Sequence, residues 1–350
     1  MTDLEEHQIK RDRLLKILAD HGADRLLLTS QTALAWYLEG ARIHVSLAAP
    51  PIVALLVSSE ADELILTSNE ADRLVSEELP SWVRVREVGW QQQPALAATG
   101  DVLAEDAVAA ELRAARTPLL PSETDRFRSL GAGTARLLTE VLSGCRPEQP
   151  EREVAAAVTA GVVALGAEPL VVLVGGAERV RHRHPLPTAA PLGRRALVVV
   201  CARRDGLVIN VSRWVRFGPP TEVESSADRR ILEVESAFLD ALRPGSTLGE
   251  VLDAGRQAYP GYGFDRDEWR RHHQGGVAGY AGRDPRATEG APDRICLGQA
   301  FAWNPSAPGC KVEDTVLLTG DGIEVLTVDP RWPTVECAGR LRPAVLELRP

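Results

Sequence analysis

The chain is poor in the residues on which several protein classes depend. Its five cysteines, Cys145, Cys201, Cys296, Cys310 and Cys337, are odd in number, widely spaced and without a C-x-x-C pair, which argues against a disulfide framework and a structural zinc finger. No apolar run approaches the roughly 18 residues of a membrane-spanning helix. The opening Met1-Thr2-Asp3-Leu4-Glu5-Glu6 is acidic and lacks the basic-then-apolar order of a secretory signal, so a soluble, cytoplasmic chain with no membrane partner is expected. Positive charge is also short: 40 Lys and Arg against 49 Asp and Glu leave −9, which disfavours nonspecific attraction to nucleic acid or anionic lipid. Any anionic ligand must meet local cations instead. G-x-G-x-x-G and Walker spacings are missing too, so Gln274-Gly275-Gly276 reads as close backbone approach rather than a nucleotide loop.

At 350 residues the chain exceeds the usual single core, and two domains are expected. Residues 4–21 place Leu14, Leu15, Ile17 and Leu18 among charges, as in an amphipathic helix ending near Gly22. Apolar segments 25–29, 51–58 and 63–67 read as strands and 70–78 as a helix, an α/β layer pattern. Arg116-Thr117-Pro118-Leu119-Leu120-Pro121-Ser122 carries two prolines and then a helix cap, which puts a boundary near 120 and domains at 1–120 and 121–350. Beyond it, helices are expected at 123–143, 151–165, 222–242 and 247–258, with strands at 170–174, 195–201 and 207–215. Arg204-Asp205-Gly206 is a hairpin turn, and the carboxyl end alternates strands and turns. Helices grouped against an antiparallel sheet make the second domain α+β.

Four spaced motifs stand out. They are His184-Pro185-Leu186-Pro187-Thr188 before the strand 196–200; Gly206-Leu207-Val208-Ile209-Asn210-Val211-Ser212-Arg213; the run from Arg271-His272-His273-Gln274-Gly275-Gly276 to Arg283-Asp284-Pro285; and Lys311-Val312-Glu313-Asp314-Thr315 followed by Asp321-Gly322-Ile323-Glu324. In this order they resemble the aminopeptidase P/creatinase family over essentially the whole chain. The resemblance implies a pita-bread carboxyl-terminal domain, α+β in class, behind a smaller creatinase-type α/β domain.

In that family's peptidases two divalent ions sit on two aspartates, one histidine and two glutamates. Carried over, those positions are Cys201, Asn210, Gly276, Asn304 and Glu313, so one carboxylate remains. Neutral asparagines cannot neutralise two dications, and neither a metal nor another cofactor is expected. The run Gly279-Tyr280-Ala281-Gly282-Arg283-Asp284 is more similar to the metal-free creatinase branch, where the arginine binds a substrate carboxylate, a task to which a guanidinium fork is suited. The creatinase acidic pair is replaced by Ser212 and Asn304, which argues against creatine.

The resemblance implies catalytic roles for His184, His272 and Glu313: His184 as acid/base, His272 as helper, and Glu313 as base or as the partner of Arg213 or another cation. Histidine suits proton transfer near neutrality, although Arg181-His182-Arg183-His184 also has the look of a solvated basic loop. His273 is expected on the opposite face of a strand from His272. Substrate contacts are expected from Arg283, Tyr280, Asn304, Ser212, Arg203 and Cys201. Cys201 is also a possible nucleophile, though cysteine is commonly buried and inert. Trp303 reads as pocket wall or core, and Trp36 and Arg42 as residues reaching a neighbouring subunit's pocket in a homodimer. The implied activity is metal-independent hydrolysis of a C–N bond in a small carboxylate-bearing molecule or short peptide. A lyase or isomerase on the same scaffold, or a non-catalytic binder of peptides or proteins, are the alternatives.

Overall fold

The computed structural model describes residues 3–349, and these cluster into two units. The first comprises the described residues up to Glu123 with Asp205–Leu207; the second is Thr124–Arg204 and the described residues from Val208 onward. No described helix is long and apolar enough to cross a membrane.

In the first unit the elements are α1 (Asp3–His21), β1 (Arg25–Leu28), α2 (Gln31–Tyr37), β2 (Val53–Ser58), β3 (Asp62–Thr67), α3 (Ala71–Arg73), β4 (Arg84–Val88), β5 (Leu103–Ala104) and α4 (Ala109–Arg116). The strands form one sheet in the order β4-β3-β2-β1-β5, with β1, β2 and β3 antiparallel and β4 and β5 added in parallel at the edges. Val53 to Val57 are all buried, the pattern of a strand covered on both faces. Ser30 caps α2 by accepting from the Ala33 amide, and Trp36 and Tyr37 are wholly buried within that helix. Trp36 is therefore core and not a residue reaching outward, which corrects the expectation. Arg42 is mostly exposed and pairs with Glu78 at 2.5 Å. The helix expected at 70–78 is a short α3 continuing into a π-helical turn at Leu74–Glu78.

The second unit contains α5 (Pro121–Ser143), α6 (Glu151–Ala164), β6 (Glu168–Gly175), β7 (Arg195–Arg204), β8 (Leu207–Phe217), α7 (Glu222–Ala241), α8 (Leu248–Gly261), β9 (Gly275–Ala278), β10 (Gln299–Trp303), β11 (Ser306–Ala307), β12 (Cys310–Lys311), β13 (Asp314–Thr319), β14 (Gly322–Val325), β15 (Thr334–Cys337), β16 (Arg340–Pro343) and β17 (Leu346–Leu348). Thr221 with Glu224 and Thr247 with Glu250 form reciprocal capping boxes that start α7 and α8. The β7–β8 turn has positive φ at both Asp205 and Gly206, the geometry of a two-residue primed hairpin.

Two four-stranded sheets organise this unit, β17-β8-β7-β6 and β14-β13-β10-β9. The second is antiparallel throughout. In the first, β17 runs parallel to β8, a departure from the expected all-antiparallel arrangement. Backbone and side-chain hydrogen bonds stitch the sheets together. The Ser212 amide donates to Glu313 O at 2.8 Å, the Asn210 amide donates to Thr315 Oγ1 at 2.9 Å, and that hydroxyl donates back to Asn210 O at 3.0 Å. Beside them Asp314 is a buried hub that accepts from Arg213 (2.9 Å), Thr327 Oγ1 (2.5 Å) and Arg342 (2.8 Å), while Arg342 forks onto Glu235. Arg213 is thus scaffold. α7 and α8 close one face of the core, with Phe238 stacked on Trp303 at 4.6 Å; Trp303 is core, not pocket wall.

Candidate active site

The motifs separated by more than 100 residues converge within the second unit. Glu313, immediately before β13, is buried between two cations: Lys311 Nζ lies 2.8 Å from Oε2, and Arg283 Nη2 donates to Oε1 at 2.7 Å. Burial alone would raise the carboxyl pKa, but Lys311 and then Arg283 outweigh it and hold the group at about 2. Arg283 also donates from Nη1 to Gly282 O at 2.5 Å, and its Nε is buried without a hydrogen-bond partner among the described residues. Much of the expected carboxylate clamp is therefore already occupied by a carboxylate of the protein. Glu313 pairs with Lys311 and Arg283; Arg213 serves Asp314 instead.

His184 is brought to this centre by the loop after β6. Glu151 is fully buried and accepts from the Gly176 amide (2.7 Å), the Thr188 amide (2.9 Å) and Thr188 Oγ1 (2.7 Å), with Arg179 paired to it. The loop is therefore built around one carboxylate. Arg183 pairs with the buried Glu268, which ties the basic run to the turn ahead of His272. His184 Nε2 lies 3.1 Å from His272 Nε2, and His272 Nδ1 lies 3.1 Å from Ser306 Oγ.

His273 joins them, with ring centroids 4.5 Å from His272 and 6.1 Å from His184. This corrects the expectation that it faces away. Strand alternation does not hold at 272–274, because β9 begins only at Gly275. Gln274 fixes the segment instead, donating to Trp269 O (2.9 Å) and His272 O (2.7 Å) and accepting from Tyr259 Oη (2.7 Å).

All three imidazoles are held neutral. Burial lowers the pKa of each. It is joined mainly by Lys311 at His272, which falls to about 2, by Arg283 at His273, which falls to about 4, and by Lys311 at His184. Arg286 adds to the positive field at His184 and His273; it is exposed and has no carboxylate partner among the described residues. A cavity of about 410 Å³ opens beside His272 and His273, lined also by Trp269, Gln274 and Thr288.

Cys201 Sγ donates to Asn210 Oδ1 at 3.2 Å, and the Asn210 amide nitrogen donates to Val208 O and Gly282 O. Burial and then Glu313 push the thiol up to about 12, so Cys201 is a protonated donor and not a thiolate nucleophile. Ser212 Oγ and Asn304 Oδ1 are buried with no hydrogen-bond partner among the described residues. Tyr280 is buried at the end of the β9 segment. Arg203 is paired with Glu168 across the β6–β7 ladder, so its guanidinium is engaged there by a carboxylate of the protein.

At the positions that the resemblance assigns to the family's dinuclear centre the structure holds other groups. Its histidine position, Gly276, has φ +150°, and a Cβ there would lie 2.3 Å from Pro285 O and 2.9 Å from the Ala287 amide nitrogen. The segment 285–287 fills the space a ligand side chain needs. The aspartate positions hold a neutral thiol bonded to a neutral amide, and the remaining glutamate is neutralised by Lys311 and Arg283.

Sequence reasoning did not single out Lys311, Ser306 or Arg286 and misplaced His273. Lys311 had a signal, its spacing two residues before Glu313 in an extended segment. Ser306 had none.

An α/β unit ahead of an α+β unit whose two sheets frame a cluster of motif residues is the pita-bread architecture of the Xaa-Pro peptidase-like proteins. The chain belongs to metallopeptidase family M24, which matches residues 125–320, and it is of the aminopeptidase P/Xaa-Pro peptidase-like kind. A probable dipeptidase PepE of Mycobacterium tuberculosis is 27% identical over 221 residues, covering 60% of this chain and 58% of that protein. An uncharacterised peptidase of Staphylococcus aureus is 26% identical over 124 residues, 34% of this chain and 35% of that one. The matched stretches thus span less than two thirds of these relatives. Among solved structures, dipeptidase PepE from Mycobacterium ulcerans superposes with a TM-score of 0.77 at 21% identity, covering 99% of this chain and 100% of that one. The prolidase from Pyrococcus horikoshii gives 0.77 at 18%, covering 92% and 99%.

Proposed function

We propose that this chain is a hydrolase that works without the family's dinuclear centre and cleaves a C–N bond in a small carboxylate-bearing molecule or short peptide by histidine acid/base chemistry. One observation carries the reading. At the single carboxylate left from the ligand set, Lys311 and Arg283 hold the charge, while two neutral imidazoles lie Nε2 to Nε2 beside it.

The hydrogen bonds suggest a relay. We assign His272 Nδ1–H as the donor to Ser306 Oγ, which leaves His272 Nε2 as acceptor for His184 Nε2–H. The exposed His184 then presents Nδ1 as a base. A water losing its proton to Nδ1 attacks the scissile carbon while His272 Nε2 holds the Nε2–H in place, and the His184 imidazolium then gives the Nδ1 proton to the leaving nitrogen. Arg286 and the unpartnered Nε of Arg283 supply the anion-binding wall for the substrate carboxylate. Ser212 Oγ and Asn304 Oδ1, both buried and unpaired, await the substrate's neutral polar group.

The test is hydrolysis of a panel of dipeptides and of small amino and guanidino acids, with and without a strong chelator. Turnover is expected to survive chelation, to fall on the order of 100-fold in His184→Ala, and to show a raised KM in Arg286→Ala. Turnover that appears only with added manganese overturns the reading. Binding without turnover, with a copurifying protein, favours a non-catalytic peptide binder.

A further inference from the structure

We infer that His184, His272 and His273 form a binding site for one borderline transition-metal ion, zinc being the representative, at a position distinct from the family's carboxylate-bound pair. One nitrogen from each ring lies within 4.8 Å of the others. Two imidazoles on a tetrahedral ion, with metal–nitrogen bonds of about 2.0–2.1 Å, hold their nitrogens about 3.4 Å apart. His272 Nε2 and His184 Nε2 are 3.1 Å apart, so this pair needs almost no adjustment. His273, half-buried, and His184, exposed, have room to rotate and close the rest.

Two further observations point to a ligand. Ser306 Oγ takes up His272 Nδ1 at 3.1 Å, the outer-sphere contact that orients a metal-binding imidazole and keeps its Nε2 lone pair inward. His273 Nδ1 is buried and has no hydrogen-bond partner among the described residues, and a buried orphan nitrogen of this kind calls for an ion or water. The cavity of about 410 Å³ beside His272 and His273 leaves room for a fourth ligand.

Surrounding charge selects the ion. The three ligands are neutral, and Lys311, Arg283 and Arg286 outnumber Glu313 nearby. Hard ions that depend on carboxylates, such as magnesium and manganese, have nothing to hold them. An ion with affinity for imidazole does, and its fourth ligand is an anion: hydroxide, chloride or the carboxylate of a bound molecule.

One consequence rests on the proposed function. An ion at this site takes the place of the hydrogen shared between His184 Nε2 and His272 Nε2, moving the His184 proton to Nδ1, so zinc switches the relay off.

The experiment uses the full chain without an affinity tag, stripped with chelator and dialysed. Cobalt is titrated in while visible absorption is recorded, and zinc and manganese are followed by calorimetry. Expected are one cobalt or zinc per chain, the intense visible bands of four-coordinate cobalt, no manganese binding, and zinc affinity reduced about tenfold or more in His273→Ala and in His184→Ala. Unchanged melting curves of the stripped variants show that the fold is kept. Absence of the cobalt bands, or His273→Ala binding zinc as the parent does, overturns the site. If the parent turns substrate over and zinc inhibits it but not His273→Ala, both proposals stand. His273-dependent zinc binding in a protein with no turnover overturns only the hydrolase reading, and chelator-resistant turnover without zinc binding overturns only the metal site.

Discussion

The Lys311 ammonium lies 2.8 Å from Glu313 Oε2, on the side of the carboxylate opposite its bond to Arg283. Two protein cations thus serve one buried anion, at the position that the resemblance matches to a metal-binding glutamate. Under the proposed function this fixed charge would attract an anion but could not itself activate water, and proton transfer would fall to the neutral histidines alongside.

Removing one member of this triad leaves Glu313 with a single cation in a buried setting. Lys311→Met is expected to destabilise the protein by about 3 kcal/mol, measured by urea unfolding. Adding Glu313→Gln to it should recover part of that loss, because the unpaired charge goes with it. A Lys311→Met loss within about 0.5 kcal/mol of zero, the range of an ordinary surface change, would show that the contact contributes nothing.

A histidine placed at Gly276 is expected to clash rather than to bind metal. Gly276→His forces a side chain into the 285–287 backbone from a left-handed φ of +150°, and a loss of at least about 2 kcal/mol is expected. Gly276→Ala should lose a comparable amount, since the clash begins at Cβ. Thermal melts with and without manganese check both points; manganese-dependent stabilisation of Gly276→His would count against this account.

Cys201 is expected to resist alkylation. With its thiol pushed up to about 12 and donating to Asn210, almost no thiolate exists at neutral pH. Peptide mapping after iodoacetamide should find Cys201 unlabelled in native protein and labelled in urea. Rapid native labelling at pH 7 would reopen its role as a nucleophile.

Acid should weaken the fold beginning well above the range of carboxylates. His272 and His273 have folded pKa values of about 2 and about 4, below the ordinary 6.5, so from about pH 6.5 downward the unfolded chain binds protons that the folded chain does not. Stability therefore falls as pH falls. Glu313, lowered from 4.5 to about 2, acts in the same direction: its contribution is present above pH 4.5 and is lost through the interval down to about 2. Urea titrations from pH 7 to 4 should show this decline, reduced by on the order of 1–2 kcal/mol in His272→Asn. An identical slope in the variant would place the acid sensitivity elsewhere.

Much of the fold was legible in local pattern. Thr221 with Glu224 and Thr247 with Glu250 announce helix starts, Asp205-Gly206 announces a hairpin, and the all-apolar 53–57 announces a covered strand, because each depends on near neighbours. Elements built on weaker local signals escaped. β4 carries Arg84, Arg86 and Glu87 on an exposed edge, and α4 buries only Leu112; neither shows the periodicity of a buried face.

The amino-acid sequence alone determined the family and fold class of this protein and singled out His184, His272 and Glu313 as candidates, because residue identity and spacing carry that information. Contacts made across long separations were left to the tertiary structure. It turned His273 inward where Tyr259 holds Gln274, paired Arg283 with Glu313, tied Arg203 to Glu168 and buried Trp36 in its own unit. Each of these outcomes depends on where a side chain points and which opposite charge it finds, and neither is a property of a residue and its near neighbours.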